Sequence, residues 1–593
     1  MQKTLFYIVF LLNGLVAFSQ NEQLANYNFD KGEFEKALIG YEELLINQKG
    51  NSQFFIRTIE CYQQLEQYQK AEKALEERLN TYKFANLYVE LGYNYQLQKN
   101  QVKANLNYNL ALDKIKENIS NVYAIASTFE KKVLLEYALK AYQLAESLDS
   151  KVRFNYQTAL LYGQLGKIDL MIEKYLEEIY AVPQNTALIQ NHLSRFMEDD
   201  TGLDFNLALK KALLIRAQKN QDIFWNQMLS WFFVQQKEYG KAFTQEKAIY
   251  KREQESFNNI VNLAELAIEE KEEEIAKEIL TFVLENTNEL ELKIYANHFL
   301  MKMKVASAVE KEYITIKSEF QTLLNHFEIT PYSLSLQIQL AKLETFKLNN
   351  PEAGKTILQN ALNLPLNKYQ IAETKLELAD VFLYQEKFNQ ALLFYTQIEE
   401  DLKNDVIGHE ASLKAAKTSY FKSDFEWALT QLKVLKSSST QLIANDALEL
   451  FLLINDNTFS DSTQTALKKF AKGDFLLYQN KNNEALSVFL SILKDHKLED
   501  IVDETLYRIA TTYKELNQFD LALNYFNQII ENHKESIYRD EAIYFLAEIY
   551  NKNLLLPEKA KTLYEMILFN HQDSIYFIES RKKFRQLRGD TNL

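Results

Sequence analysis

The stretch Phe34-Glu35-Lys36-Ala37-Leu38-Ile39-Gly40-Tyr41-Glu42-Glu43-Leu44 decides the fold. Phe34, Ala37, Tyr41 and Leu44 are spaced by 3, 4 and 3 residues, which puts an aromatic, a small, an aromatic and an aliphatic side chain on one helix face. The same face recurs as Tyr68, Ala71 and Leu75, as Ala104, Tyr108 and Ala111, and as Ala138, Tyr142 and Ala145. Later copies include Tyr239 and Ala242, Phe388, Ala391, Tyr395 and Ile398, Phe425 and Ala428, Phe519, Ala522 and Phe526, and Ala560 and Tyr564. The small residues are spaced by 33 or 34 in the early part (Ala37, Ala71, Ala104, Ala138; Ala208, Ala242, Ala276) and by 37 or 38 later (Ala391 to Ala428; Ala485, Ala522, Ala560). Such a period is that of stacked helix hairpins. Two helices approach closely where one side chain is small, and the flanking aromatic fills the adjacent groove.

The helix before each of these faces has its own pattern, clearest in Leu91-Gly92-Tyr93-Asn94-Tyr95 and weaker around Leu160 and Tyr162, Leu378 and Phe382, Ile509 and Tyr513, and Leu546 and Tyr550. Turns such as Asp30-Lys31-Gly32-Glu33 and Gln64 to Gln67 are short and polar, as suits antiparallel neighbours. On these residues the chain resembles the tetratricopeptide-repeat family over roughly residues 21–570, in about fifteen units. The resemblance implies an all-α fold, an α-solenoid winding as a right-handed superhelix of antiparallel helix hairpins, with a concave groove that binds peptides or proteins. Residues 285–330 are irregular, with Ala306, Val309, Tyr313 and Ile316 keeping the face, and the 57-residue gap between Ala428 and Ala485 implies inserted helix plus a polar loop from Asn455 to Thr465. The expected organisation is therefore two sub-solenoids: a signal peptide (1–19), an N-terminal solenoid (20–284), an irregular helical joint (285–330), a C-terminal solenoid (331–570) with an insertion near 440–465, and a capping helix and tail (571–593).

The linkers Asn532-His533-Lys534-Glu535-Ser536-Ile537-Tyr538 and Asn570-His571-Gln572-Asp573-Ser574-Ile575-Tyr576 are near copies. They resemble the Pro-x-Ser-x-Tyr linkers of bacterial envelope repeat proteins, the outer-membrane assembly lipoprotein and the Tol–Pal coordinator among them, although Lys534 and Gln572 stand where Pro is usual. The N-terminus points the same way. Lys3, the apolar run from Leu5 to Val16 and Ala17-Phe18-Ser19 form a secretory signal pattern with Gln20 as the mature start. The run is short for a membrane span. The expected location is the periplasm, or the periplasmic face of the outer membrane, of a Gram-negative bacterium. The one cysteine, Cys61, lies on an apolar stripe beside Tyr62, which favours burial.

A formal charge of −14 disfavours nucleic acid. Gly354-Lys355-Thr356 ends like a phosphate loop, but Asn349 stands where the first glycine is required. His409-Glu410 begins a zinc-protease pattern that Leu413 breaks, and the seven histidines are scattered. Nothing in the sequence calls for a catalytic residue, a metal or a cofactor. The expected function is non-enzymatic: a protein-interaction scaffold, as an accessory of an outer-membrane or secretion complex. Tyr88, Asn94, Tyr123, Tyr156 and Gln385, on the first helices, are the candidate partner contacts. Two alternatives stand beside it. One is a glycan- or nutrient-capturing solenoid, although such proteins carry a lipid cysteine and long Trp-bearing inserted loops, whereas at least two of Trp225, Trp231 and Trp427 fall within the repeat patterns. The other is a cytoplasmic regulator of the same fold.

Overall fold

A computed structural model describes residues 21–198, 202–254, 257–438, 440–459 and 463–590. The signal pattern, residues 1–19, lies outside them. The fold is an all-α solenoid, and no strand occurs among the described residues. The chain forms two compact units, Met1–Glu238 and Tyr239–Leu593. In each, helices pack chiefly on their neighbours in sequence, as expected of a quasi-one-dimensional repeat array.

The first unit holds six hairpins: 21–30 with Phe34–Asn47, Ser52–Gln64 with Tyr68–Tyr82, Leu87–Leu97 with Gln101–Glu117, Asn121–Lys131 with Leu135–Leu148, Asn155–Gln164 with Ile168–Ala181, and Thr186–Glu198 with Gly202–Lys219. The helix Ile223–Gln235 follows. The second unit opens with Tyr239–Arg252 and continues through Asn258–Glu269 with Glu273–Asn286, Leu290–Ser307 with Tyr313–Phe327, Leu334–Lys342 with Pro351–Ala361, Lys368–Tyr384 with Phe388–Asp401, and Val406–Phe421 with Phe425–Ser438. A single long helix, Gln441–Phe459, comes next. Then follow Thr465–Tyr478 with Asn482–Asp495, Val502–Glu515 with Phe519–Asn532, Arg539–Glu548 with Pro557–Asn570, and a last helix, Phe577–Arg588.

The alanine ladder is the seam of the stack. Ala37, Ala71, Ala104, Ala138, Ala242, Ala276, Ala391, Ala428, Ala485, Ala522 and Ala560 are all fully buried. The register departs from the sequence reading in four places. Ala208 is half-buried and Leu209 takes the buried position. Leu160 points outward, and Ala159 and Leu161 fill the interior beside Tyr162. In Pro351–Ala361 the spacing of Ala353 and Ile357 fits the repeat face, but Gly354 and Leu358 are the residues buried there. Ala306 and Val309 are exposed, because the helix ends at Ser307 and restarts at Tyr313, and Ile316, Phe320, Leu324 and Phe327 carry the face. The segment 285–330 is thus mostly a helix pair, and its core is shared with the next hairpin through Leu336, Leu340 and Leu343. Cys61 is buried, and burial pushes its thiol up to about 12.

Most first helices end alike. The chain turns through one residue of positive φ, and the next amide closes a six-residue loop, as in Gln67 N–H to Tyr62 O (2.8 Å), Leu134 to Phe129 (2.8 Å) and Lys387 to Phe382 (2.9 Å). The left-handed residues Gly32, Glu66, Lys99, Val133 and Gly166 keep the repeat period, as do Asn349, Glu386 and Ser423, and Asn480, Asn517 and Leu555. Only two of these are glycine, so a repeated conformation is hidden behind unlike residues. Val133, β-branched at φ +57°, is the least suited. Its side chain is exposed and contributes little packing. Val133→Gly should therefore stabilise the first unit by about 1 kcal/mol, seen as a higher urea midpoint with an unchanged slope.

The unpaired helix Gln441–Phe459 redirects the second unit. It packs on Phe425–Ser438 and on Val406–Phe421, and Thr465–Tyr478 then returns to Val406–Phe421. The end of that helix reaches further back: Tyr478 Oη donates to Asp380 O (3.1 Å), Gln479 Nε2 to Tyr384 O (2.8 Å) and Asn480 Nδ2 to Phe346 O (2.9 Å). Phe475 packs among the buried residues of the Lys368–Tyr384 hairpin. The expected polar loop from Asn455 is helical as far as Phe459, and Asn457 is buried with its amide on Leu453 O (2.8 Å).

Candidate functional site

Where the stack folds back, first helices of several hairpins and the unpaired helix converge on a cleft of about 480 Å³. Lys368–Tyr384 contributes Asp380 and Leu383, Val406–Phe421 contributes Lys414, Lys417, Tyr420 and Phe421, and the unpaired helix contributes Asp446, Glu449, Leu450 and Leu453. Asp474, Leu477, Tyr478, Arg508 and Tyr538 complete the wall.

Each cation of the wall faces a carboxylate. Lys414 Nζ binds Asp380 Oδ2, whose other oxygen accepts from the buried Tyr395 hydroxyl. Arg508 Nε lies 2.9 Å from Asp474 Oδ1, and Tyr420 Oη donates to Asp474 Oδ2 at 2.9 Å. Lys417 is 3.9 Å from Asp446. Burial lowers the Lys414 ammonium, but Asp380 and Glu377 more than offset it and hold it above its ordinary value. Burial outweighs Arg508 at Asp474, whose carboxyl is raised. Four carboxylates face three cations, and Glu449 is the lining carboxylate without an ion pair among the described residues. It is exposed to solvent at the cleft. Leucines 383, 450, 453 and 477 with Phe421 supply the apolar wall.

Glu504 lies on the same helix as Arg508. One oxygen is 3.5 Å from Asn457 Nδ2 and the other is buried without a hydrogen bond. Burial, reinforced by Asp503, pushes Glu504 up to about 9. Its folded value is raised, so the folded state binds more protons than the unfolded state between about pH 4.3 and 9. Stability is therefore lost as the pH rises through that window. Denaturation of the second unit should show the wild type losing about 1–3 kcal/mol relative to Glu504→Gln between pH 6 and 9.

The residues singled out in the sequence are not gathered at this cleft. Tyr123 and Tyr156 each lie ten residues before the left-handed turn residue that ends their helix, and Tyr88 lies one residue further back, all near the starts of three successive first helices of the first unit. Tyr88 is half-buried, Tyr123 is exposed with its ring edge-on to Phe154 at 5.6 Å, and Tyr156 packs against Tyr175 and His192. Asn94 is fully buried, and its amide is spent on Tyr68 O (3.0 Å), so it ties consecutive hairpins together and offers no surface. Gln385 sits in the turn after Tyr384, between Glu352 (2.8 Å) and Lys387 (2.8 Å). Trp225 is a core residue, and Trp427 is exposed.

The first unit has a polar cluster of its own. Lys132 Nζ lies 3.1 Å from Glu60 and 3.2 Å from Glu90, joining three successive first helices at a site where Lys132 and Glu90 are buried. Burial raises the Glu90 carboxyl despite Lys132.

No family model matches the sequence, and no curated protein matches it. Among solved structures, the chain is similar to the APC/C hetero-tetramer Cut9–Hcn1 (13% identity, 96% of each chain, TM-score 0.21) and to Naa15/Naa10 bound to HypK-THB (12%, 97% of each, 0.27). A third is the TPR domain of P58(IPK), at 14% identity over 62% of this chain and 99% of that one, with a TM-score of 0.19. At these identities and scores the likeness carries nothing about partners. The fold rests on the order and packing of the helices themselves.

Proposed function

We propose that the chain is a non-enzymatic protein-interaction scaffold, and that its second unit holds a partner segment bearing a lysine or arginine in the fold-back cleft. The observation that carries this reading is Glu449, an unpaired carboxylate beside leucine walls in a cleft whose three cations are already matched. The aliphatic stem of a basic side chain would lie along Leu450, Leu453 and Leu477, and its head would meet Glu449. A charge-assisted hydrogen bond of this kind contributes about 1.5–3 kcal/mol. Short peptides differing only in one lysine, norleucine or glutamate test it by titration calorimetry. The lysine peptide should bind best and lose about tenfold in affinity with Glu449→Gln. Equal binding of all three peptides, or an indifferent Glu449→Gln, would sink the cleft assignment.

The setting proposed is the envelope of a Gram-negative bacterium, in the periplasm or docked to an outer-membrane complex. It rests on the signal pattern and on the Ser-Ile-Tyr linkers. Those linkers share one geometry: Tyr538 stacks on Tyr507 (4.6 Å) and Tyr576 on Tyr544 (4.3 Å), with Ser536 and Ser574 bonding the tyrosine amides at 3.2 Å. No described helix is long and apolar enough to cross a membrane. A mature chain beginning at Gln20 in the envelope fraction supports the setting, and a full-length chain confined to the cytosol overturns it.

A further inference from the structure

The last helix, Phe577–Arg588, has two unlike faces. Ser580 is buried, and Phe584 and Leu587 pack on Ala547, Ala560 and Tyr564, closing the stack. Lys583 also turns inward, 3.4 Å from Glu548. The outer face is Ile578, Arg581, Lys582 and Arg585, related by steps of 3, 1 and 3, all exposed. The three cations carry no ion pair among the described residues. In a chain of net charge −14 this helix has five basic residues against one acidic. Three large apolar side chains at this end of the unit stand in open solvent: Ile578 of that face at 73% exposure, Ile575 in the linker before it at 86%, and Phe569 near the end of the preceding helix at 71%. Ile537, at the matching point of the preceding linker, is 71% exposed.

We infer that this end of the second unit is a docking surface for an anionic lipid bilayer. An acidic protein would satisfy the cations and leave the apolar tips in water. A bilayer surface takes both, the isoleucines and Phe569 entering the headgroup–acyl boundary while Arg581, Lys582 and Arg585 meet lipid phosphates. The inference is independent of the cleft, which lies on other helices.

Co-sedimentation of the full chain with phosphatidylcholine vesicles, with and without phosphatidylglycerol, tests it. Binding should require phosphatidylglycerol and weaken with added salt. Arg581→Gln/Lys582→Gln/Arg585→Gln should lower partitioning roughly a hundredfold, and Ile575→Ser/Ile578→Ser at least tenfold, with helical circular dichroism unchanged. Phe569→Trp gives a readout that needs neither multiple variant: its emission should shift to the blue on anionic vesicles only. Three results would overturn the inference: no binding to anionic vesicles, equal binding to phosphatidylcholine alone, or lipid-free self-association that the isoleucine variant abolishes.

Discussion

Lys132→Met is expected to destabilise the first unit by about 3 kcal/mol, far more than a substitution at an ordinary exposed lysine. The ammonium sits between Glu60 and Glu90. Removing it strands two carboxylates unequally, because Glu60 keeps Arg57 at 3.0 Å whereas Glu90 is buried with no other cation in contact among the described residues. The loss should thus be concentrated on Glu90, and Lys132→Met/Glu90→Gln should recover most of it. A double-mutant cycle in urea gives the coupling. The pH dependence has a fixed sign. Burial already holds Glu90 above its usual range, and losing Lys132 raises it further. A raised acid contributes stability below its unfolded value and loses it as the pH rises. The deficit of Lys132→Met should therefore shrink from pH 8 towards pH 5. A deficit that is the same at both values would show that Glu90 stays charged and solvated.

The hairpin seam was legible because it demands a rare pairing, a small residue flanked by aromatics, repeated at one period. Ala37 with Tyr41 and Ala560 with Tyr564 are fully buried as the spacing implies. Register failed where that pairing thins out. In Gly202–Lys219 the alanine and leucine neighbours are interchangeable by pattern, and packing chose Leu209 over Ala208. The turns were legible as short and polar, yet their shared left-handed residue was not, since Val133, Lys99 and Leu555 carry no signal for it.

The cleft lay beyond a periodic reading for a different reason. It is made by a departure from the period, the unpaired helix Gln441–Phe459, which brings Asp380, Asp474 and Arg508 together across many residues of sequence. The 57-residue gap between Ala428 and Ala485 was the one available signal, and it marked the place without saying that the stack would turn on itself there. The first-helix tyrosines stand out in the sequence only by their position in the repeat. That criterion finds Tyr123 on the surface but cannot separate it from Asn94, whose amide is consumed by a backbone carbonyl.

Gly354→Ala is expected to cost about 3 kcal/mol, while Lys355→Ala and Thr356→Ala cost little. The three residues imitate the end of a phosphate loop, and a nucleotide site would give the opposite order, with the lysine most sensitive. Gly354 is buried on the face of Pro351–Ala361 that meets the preceding helix. A Cβ there would come within 2.8 Å of Ala341 O and would overlap the Thr345 hydroxyl, in a π-helical turn where both neighbours are fully buried. The backbone oxygen cannot swing aside as a flexible side chain would, so the helices must separate. The better helix propensity of alanine returns only about 1 kcal/mol. Thr345 Oγ1 has no hydrogen-bond partner, so Thr345→Ala alone should be mild, and Gly354→Ala/Thr345→Ala should regain part of the loss but not all. The residue is set by the Ala341 carbonyl, which no side-chain change removes. Lys355, partly exposed and bound to Glu352, takes no part in that contact, and the exposed Thr356, bonded to Glu352 O at 2.8 Å, lies on the far side of the helix from it. Urea denaturation of the four variants separates the two readings without any ligand. A neutral Gly354→Ala beside a damaging Lys355→Ala would reverse the assignment.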